Sequence, residues 1–172
     1  MRKLIFLIII GLSLLNYRLY ACSCIRQRAV KEEIKYSDAV VVGKIISKNH
    51  ITLIDSTALK MFGNGNTNTK SPLIQTTVAK YELIITSIFK GKFKSDTIEV
   101  YTGLGGGDCG IRFEIGKEYI IYGDKETFFG QINNDWPYPK GNNIIWANIC
   151  SRTTIIGRSK VDEIKKYLKP RK

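Results

Sequence analysis

Residues 39–46 read Ala-Val-Val-Val-Gly-Lys-Ile-Ile, a run of β-branched side chains interrupted by Gly43 and Lys44. Such side chains suit a pleated surface, and the run is short, so it predicts a buried strand. Gly43 within it marks a bulge or a barrel bend. Downstream, Gln75 to Phe89 (QTTVAKYELIITSIF) predicts a long strand, Lys90-Gly91-Lys92 a turn, and Thr97 to Thr102 (TIEVYT) a further strand. Glu118 to Tyr122 (EYIIY) and Thr127 to Ile132 (TFFGQI) predict a hairpin around Gly123-Asp124, and Asn143 to Cys150 a last strand. Between Lys48 and Pro72 the pattern dissolves. Gly63 to Pro72 (GNGNTNTKSP) reads as the tip of a long mobile loop or ribbon.

Two helices flank these strands. In Gln27–Tyr36, Ala29, Val30 and Ile34 share one face, and Ser37-Asp38 ends the segment. Ser159–Leu168 is amphipathic, with Ser159 as cap, Asp162 and Glu163 in the first turn, and Pro170 beyond. Five or six strands, a helix at each end and no repeats predict a mainly β fold, a small closed β-barrel with flanking N- and C-terminal helices.

The 172 residues are 44% hydrophobic and 24% charged, enough for one domain with a core and too apolar for global disorder. His50 is the sole histidine, which excludes a His-rich zinc site. No G-x-S-x-G occurs and the carboxylates are scattered, so the chain reads as a non-enzyme with no catalytic residues. Gly105, Gly107 and Gly110 spell G-x-G-x-x-G, but no helix opens on them and no βαβ unit surrounds them. We read that stretch as a flexible connection that lets Cys109 reach a distant partner. The formal charge of +12 is spread along the chain, which fits solubility or attraction to an acidic surface better than nucleic-acid binding.

At the N-terminus, Arg2 and Lys3 precede an apolar run from Leu4 to Leu15, the pattern of a secretory signal. Cleavage between Ala21 and Cys22 would leave a single domain over 22–172, and loss of Arg2, Lys3 and Arg18 would lower +12 by three, to +9. Leu19-Tyr20-Ala21-Cys22 is also a loose lipobox, so a lipid anchor on Cys22 is the alternative, and membrane attachment would follow only from it. The chain holds four cysteines: Cys22, Cys24, Cys109 and Cys150. Export predicts two disulfides. Cys22 and Cys24 are too close to bond each other, so each reaches for Cys109 or Cys150. Two such bridges would staple the new N-terminus to the body, each contributing roughly 4–5 kcal/mol by loop entropy. A terminus held so firmly presents its α-amino group, its carbonyl oxygen and Ser23 in a fixed geometry.

On these residues the chain resembles the N-terminal inhibitory domain of the tissue inhibitors of metalloproteinases, a netrin-like module of the OB type. Cys22-Ser23-Cys24 resembles that family's N-terminal Cys-x-Cys, and Ser37 to Lys44 its first strand. Tyr81-Glu82 through Phe89-Lys90-Gly91 resembles its Tyr-Glu…Phe-Lys-Gly segment. Val100-Tyr101-Thr102, Cys109-Gly110, Gly116-Lys117-Glu118-Tyr119 and the Cys150 region continue the match, which covers most of residues 22–156. The animal inhibitors carry more cysteines and a second domain. This chain has neither, and its Asn/Lys/Ile-rich composition without an N-x-[ST] sequon suits a bacterial-type single-domain relative.

The resemblance implies a five-stranded OB-type barrel with bridges Cys22–Cys109 and Cys24–Cys150. It further implies a secreted, monomeric inhibitor with Cys22, Ser23 and Cys24 as its reactive site and no cofactor of its own. The Cys22 amine and carbonyl would chelate the catalytic zinc of a target metalloendopeptidase, and Ser23 would enter its specificity pocket. A non-inhibitory extracellular or lipid-anchored binding module of the same fold is the alternative.

Overall fold

The computed structural model describes residue 24 and residues 26–62, 75–127 and 137–170. The Val-rich run opens strand β1, which spans Ala39–Ile54. Its side chains are buried on both sides. Val41 and Ile45 enter a core with Tyr81, Leu83, Val100, Ile121 and Ile145. Val40 and Val42 face the other way, into a second cluster closed by Val30 and Ile34 of helix α1 (Val30–Tyr36) and by Ile164 of the C-terminal helix. Burial on both faces is why the run shows no alternation of polar and apolar residues.

Gly43 meets its expectation. The register against β2 (Gln75–Lys90) slips between Val42 and Gly43. A Cβ there would lie 2.7 Å from the Leu83 Cγ and closer still to the Ile84 carbonyl oxygen. Only glycine permits that approach. Lys90, at the far end of β2, donates from its Nζ to the carbonyl oxygens of Ile34 (2.8 Å) and Lys35 (3.1 Å), fixing the C-terminal end of α1 to the sheet.

Strand β3 (Thr97–Thr102) pairs antiparallel with β2, and β4 (Glu118–Gly123) antiparallel with β1. β5 (Ile144–Trp146) runs parallel to β3, and the two-residue β6 (Thr154–Ile155) lies along β4. The described residues thus form a mixed six-stranded sheet of order β5-β3-β2-β1-β4-β6. The fold is mainly β, as expected, but the sheet has a sixth strand and is not closed into the predicted five-stranded barrel. β5 has three residues and forms its one ladder with β3. Its outer edge meets the β4 side at one bridge, where Asp124 and Trp146 exchange backbone hydrogen bonds of 2.9 and 2.8 Å.

Several elements differ in extent. Residues 48–54, expected as the start of a loop, continue β1 and pair with β2 out to Ile54 and Gln75. Lys48, Asn49 and His50 are all exposed there, so no periodicity marks the strand. Helix α2 (Ser56–Phe62) follows, with the Asp55 Oδ1 accepting from the backbone N–H groups of Thr57 and Ala58. Residues 63–72 lie outside the described residues, as do residues 128–132 of the expected hairpin. The Asn143–Cys150 strand shrinks to β5 because Asn148 turns the chain, its Oδ1 accepting from the Cys150 N–H and its carbonyl from Ser151. α1 begins at Val30, three residues later than expected. Helix α3 spans Arg158–Lys165 with Gly157 at its N-cap, so Ser159 is not the cap and its first turn carries no acidic residue.

Candidate functional site

Thr102 ends β3, and the chain then folds tightly on itself before Ile111. Gly103 and Gly110 touch backbone to backbone: a Cβ at Gly110 would lie 2.6 Å from the Gly103 Cα and nearer to its carbonyl. Asp108 organises the turn between them. Its carboxylate accepts from the N–H groups of Leu104, Gly105 (2.8 Å), Gly106 (3.4 Å) and Gly110 (3.1 Å). Burial disfavours its charge, but these four donors outweigh burial and hold the carboxyl below its ordinary value. The Thr102 Oγ1 accepts from the Ile111 N–H at 2.9 Å. The glycine-rich stretch, expected to be a flexible connection, is therefore a pinned loop.

This loop places Cys109, in the left-handed region at φ 58°, with its carbonyl oxygen 2.9 Å from the Ile149 N–H. The next residue, Cys150, is bonded to Cys24. That disulfide agrees with the pairing implied by the resemblance. Cys109 is also disulfide-bonded. Its expected partner, Cys22, lies outside the described residues, as do Ser23 and the signal segment 1–21. Two cysteines 41 positions apart in sequence thus sit on hydrogen-bonded backbone segments. A second tie reinforces the first: Arg152 Nη1 donates to the Arg28 carbonyl oxygen at 2.9 Å, joining the chain just after Cys24 to the chain just after Cys150.

Beside this tie lies a group of charges around the buried Glu33. Glu33 on α1 is 2% exposed and pairs with Arg28 at 3.6 Å, too long for a hydrogen bond. Burial pushes its carboxyl up, against the Arg28 and Arg152 charges that favour ionisation. Asp124, at the bridge to β5, is pushed up to about 6, first by burial and then by the negative charge of Asp38. Asp38 is itself held in place by the Lys125 N–H at 2.8 Å.

A pH dependence follows. Between its ordinary value of 3.8 and about 6, Asp124 keeps a proton when folded that it releases on unfolding. Its contribution to stability is thus fully present below pH 3.8 and is lost as pH rises through about 6. Asp124→Asn, neutral at every pH, is expected to unfold with a flatter pH profile across that window. At pH 7 it should gain about 1 kcal/mol, discounted for partial exposure. Urea denaturation at a series of pH values checks both.

His50 is exposed on β1 opposite Ala79 and is not brought to the cysteines. Among the described residues no group of three His, Cys, Asp or Glu side chains is placed to hold a metal ion. Sequence reasoning missed Asp108, although an Asp after three glycines is a recognisable turn signal. It also missed the Arg152–Arg28 tie, which spans 124 positions and has no local signature.

Fold and site together define a disulfide-stapled, mainly β protein whose N-terminal segment is fastened through Cys24 to Cys150, on the chain that runs beside a pinned loop. Compared with known proteins, the sequence matches no family and no curated protein.

Proposed function

We propose that the protein is a secreted inhibitor of zinc metalloendopeptidases, acting through an N-terminal Cys22. One observation carries this reading: the Cys24–Cys150 disulfide lies directly beside the segment that carries Cys109. A Cys-x-Cys terminus anchored by Cys22–Cys109 as well would be fixed on both sides of Ser23. The backbone bridge between Asp124 and Trp146 ties β5, and with it the chain leading to Cys150, to the end of β4.

The chemistry is simple. A catalytic zinc keeps a position open for water or substrate. The α-amino nitrogen and the carbonyl oxygen of one residue form a five-membered chelate with such a metal, displacing the water. The amine must be neutral, which a pKa of about 8 allows near neutral pH. Ser23 would enter the adjoining pocket, and the disulfides would remove most of the entropy lost on docking. The zinc belongs to the target, and the inhibitor brings only the two donor atoms.

The test compares the chain beginning at Cys22 with one carrying a single extra N-terminal alanine, assayed against a panel of zinc metalloendopeptidases. The extension moves the charged amine away from the metal and should weaken inhibition by about 100-fold or more. Equal inhibition by both forms overturns the chelation mechanism. N-terminal sequencing of the exported protein gives an independent check, since any start other than a free Cys22 overturns it as well.

A further inference from the structure

Helices α1 and α3 pack against the same side of the sheet, sharing a cluster in which Val30 and Ile34 meet Ile164, Val161 and Leu168. Their outward sides therefore form one layer, and its charge is strongly biased. Lys31, Lys35, Arg158, Lys160, Lys166 and Lys169 are exposed there, with no carboxylate partner among the described residues. Most acids of the layer are already matched: Glu32 by Arg26, Glu33 by Arg28 and Asp162 by Lys165. Glu163 alone remains, half-buried. Tyr36 at the end of α1 and Tyr167 just after α3 are also exposed, at 58% and 48%. Arg28 lies over the Tyr36 ring at 4.7 Å.

We propose that this helical layer docks on the surface of an anionic phospholipid bilayer, independently of any lipid on Cys22 and beyond the inhibitory role above. The cations are spread over α1, α3 and the turn that follows α3, an arrangement that suits a planar field of headgroup charge. Lysines attract anionic headgroups within a Debye length of the surface. Tyrosines settle at the boundary between headgroups and acyl chains, with the ring in the apolar part and the hydroxyl in water. Binding of this kind is peripheral and screened by salt. The layer leaves the segment around Cys24 and Cys150 to be held by its own disulfide, so membrane contact and inhibition are separable activities.

The test is cosedimentation of the purified, oxidised protein with vesicles of phosphatidylcholine containing roughly one-third phosphatidylglycerol, at low and high salt. The protein should bind these vesicles at low salt, release at about 0.5 M salt, and ignore pure phosphatidylcholine. Lys31→Glu/Lys35→Glu and Lys166→Glu/Lys169→Glu should each weaken binding by about tenfold or more. Lys117→Glu/Lys140→Glu, which makes the same charge change outside the helical layer, should leave it within about twofold. Thermal melts establish that the variants fold. Failure to bind anionic vesicles, equal binding to pure phosphatidylcholine, or equal losses from all three pairs overturns the proposal. Retention on heparin without vesicle binding overturns it too, in favour of a soluble polyanion. None of these outcomes bears on the alanine-extension assay, so the two readings fail separately.

Discussion

Cys24→Ala/Cys150→Ala is expected to lower stability by about 4 kcal/mol, and the melting temperature by about 10 °C. The bridge joins residues 126 positions apart. Cross-linking so long a loop removes a large share of the unfolded chain's freedom, and chain-entropy arguments put that near 5 kcal/mol. Contacts that survive without the bridge, such as Arg152 on the Arg28 carbonyl and the packing of Val30 and Ile34, keep the folded segment in place. The loss therefore falls mainly on the unfolded state. Two measurements check this. Urea denaturation of the oxidised protein and the double variant gives the difference directly. Adding a reductant should then destabilise the wild type more than the variant, because the variant has already lost this cross-link. A difference under about 1 kcal/mol would mean that the remaining ties alone constrain the segment.

The parts of this structure legible in the sequence are those where local pattern and tertiary environment agree. The Val40-Val41-Val42 run reads as a strand because both faces are buried, Val41 in the main core and Val40 and Val42 beneath the helices. Gly43 reads as a bend because a close approach is the one common reason to leave a strand without a side chain. The Cys24–Cys150 pairing came from the family resemblance, since spacing alone left the connectivity open. What could not be read depends on neighbours far away in the chain. The 48–54 end of β1 is paired along one edge and solvated across Lys48, Asn49 and His50, so it carries no alternation. Ser159 has the composition of a helix cap, but the chain enters the helix two residues earlier, through an extended Gly157. The raised carboxyl of Asp124 exists only because α1, the Asp38 turn and β5 converge on it. Order in the glycine-rich loop was hidden for a related reason. Glycines lower the expectation of structure when counted, yet here two of them allow a backbone contact that no other residue permits.

That contact gives the second large effect. Gly110→Ala is expected to destabilise the protein by about 3 kcal/mol or more, while Gly106→Ala, four positions earlier, should cost within about 1 kcal/mol. At Gly110 the added methyl would meet the Gly103 backbone, with the Cα at 2.6 Å and the carbonyl closer. No rotamer change relieves a clash with backbone, so the loop must open. Opening draws the Gly110 N–H from Asp108 and strains the Ile111 bond to Thr102. It also pulls on the Cys109 carbonyl that receives the Ile149 N–H. At Gly106 the nearest atom to an added methyl is the Arg112 Nη2 at 3.8 Å, an ordinary contact with the end of a flexible side chain. The two variants carry the same chemical change in the same loop, so their difference isolates the close approach from glycine's general flexibility. Thermal melts of the oxidised proteins read it, and peptide mapping after partial reduction reads whether the Cys109 disulfide is reduced more readily in Gly110→Ala. If both variants melt together, the Gly103–Gly110 contact yields easily. The loop's grip on Cys109 would then rest mainly on the Asp108 hydrogen bonds, and Asp108→Ala should cause the loss that Gly110→Ala failed to cause.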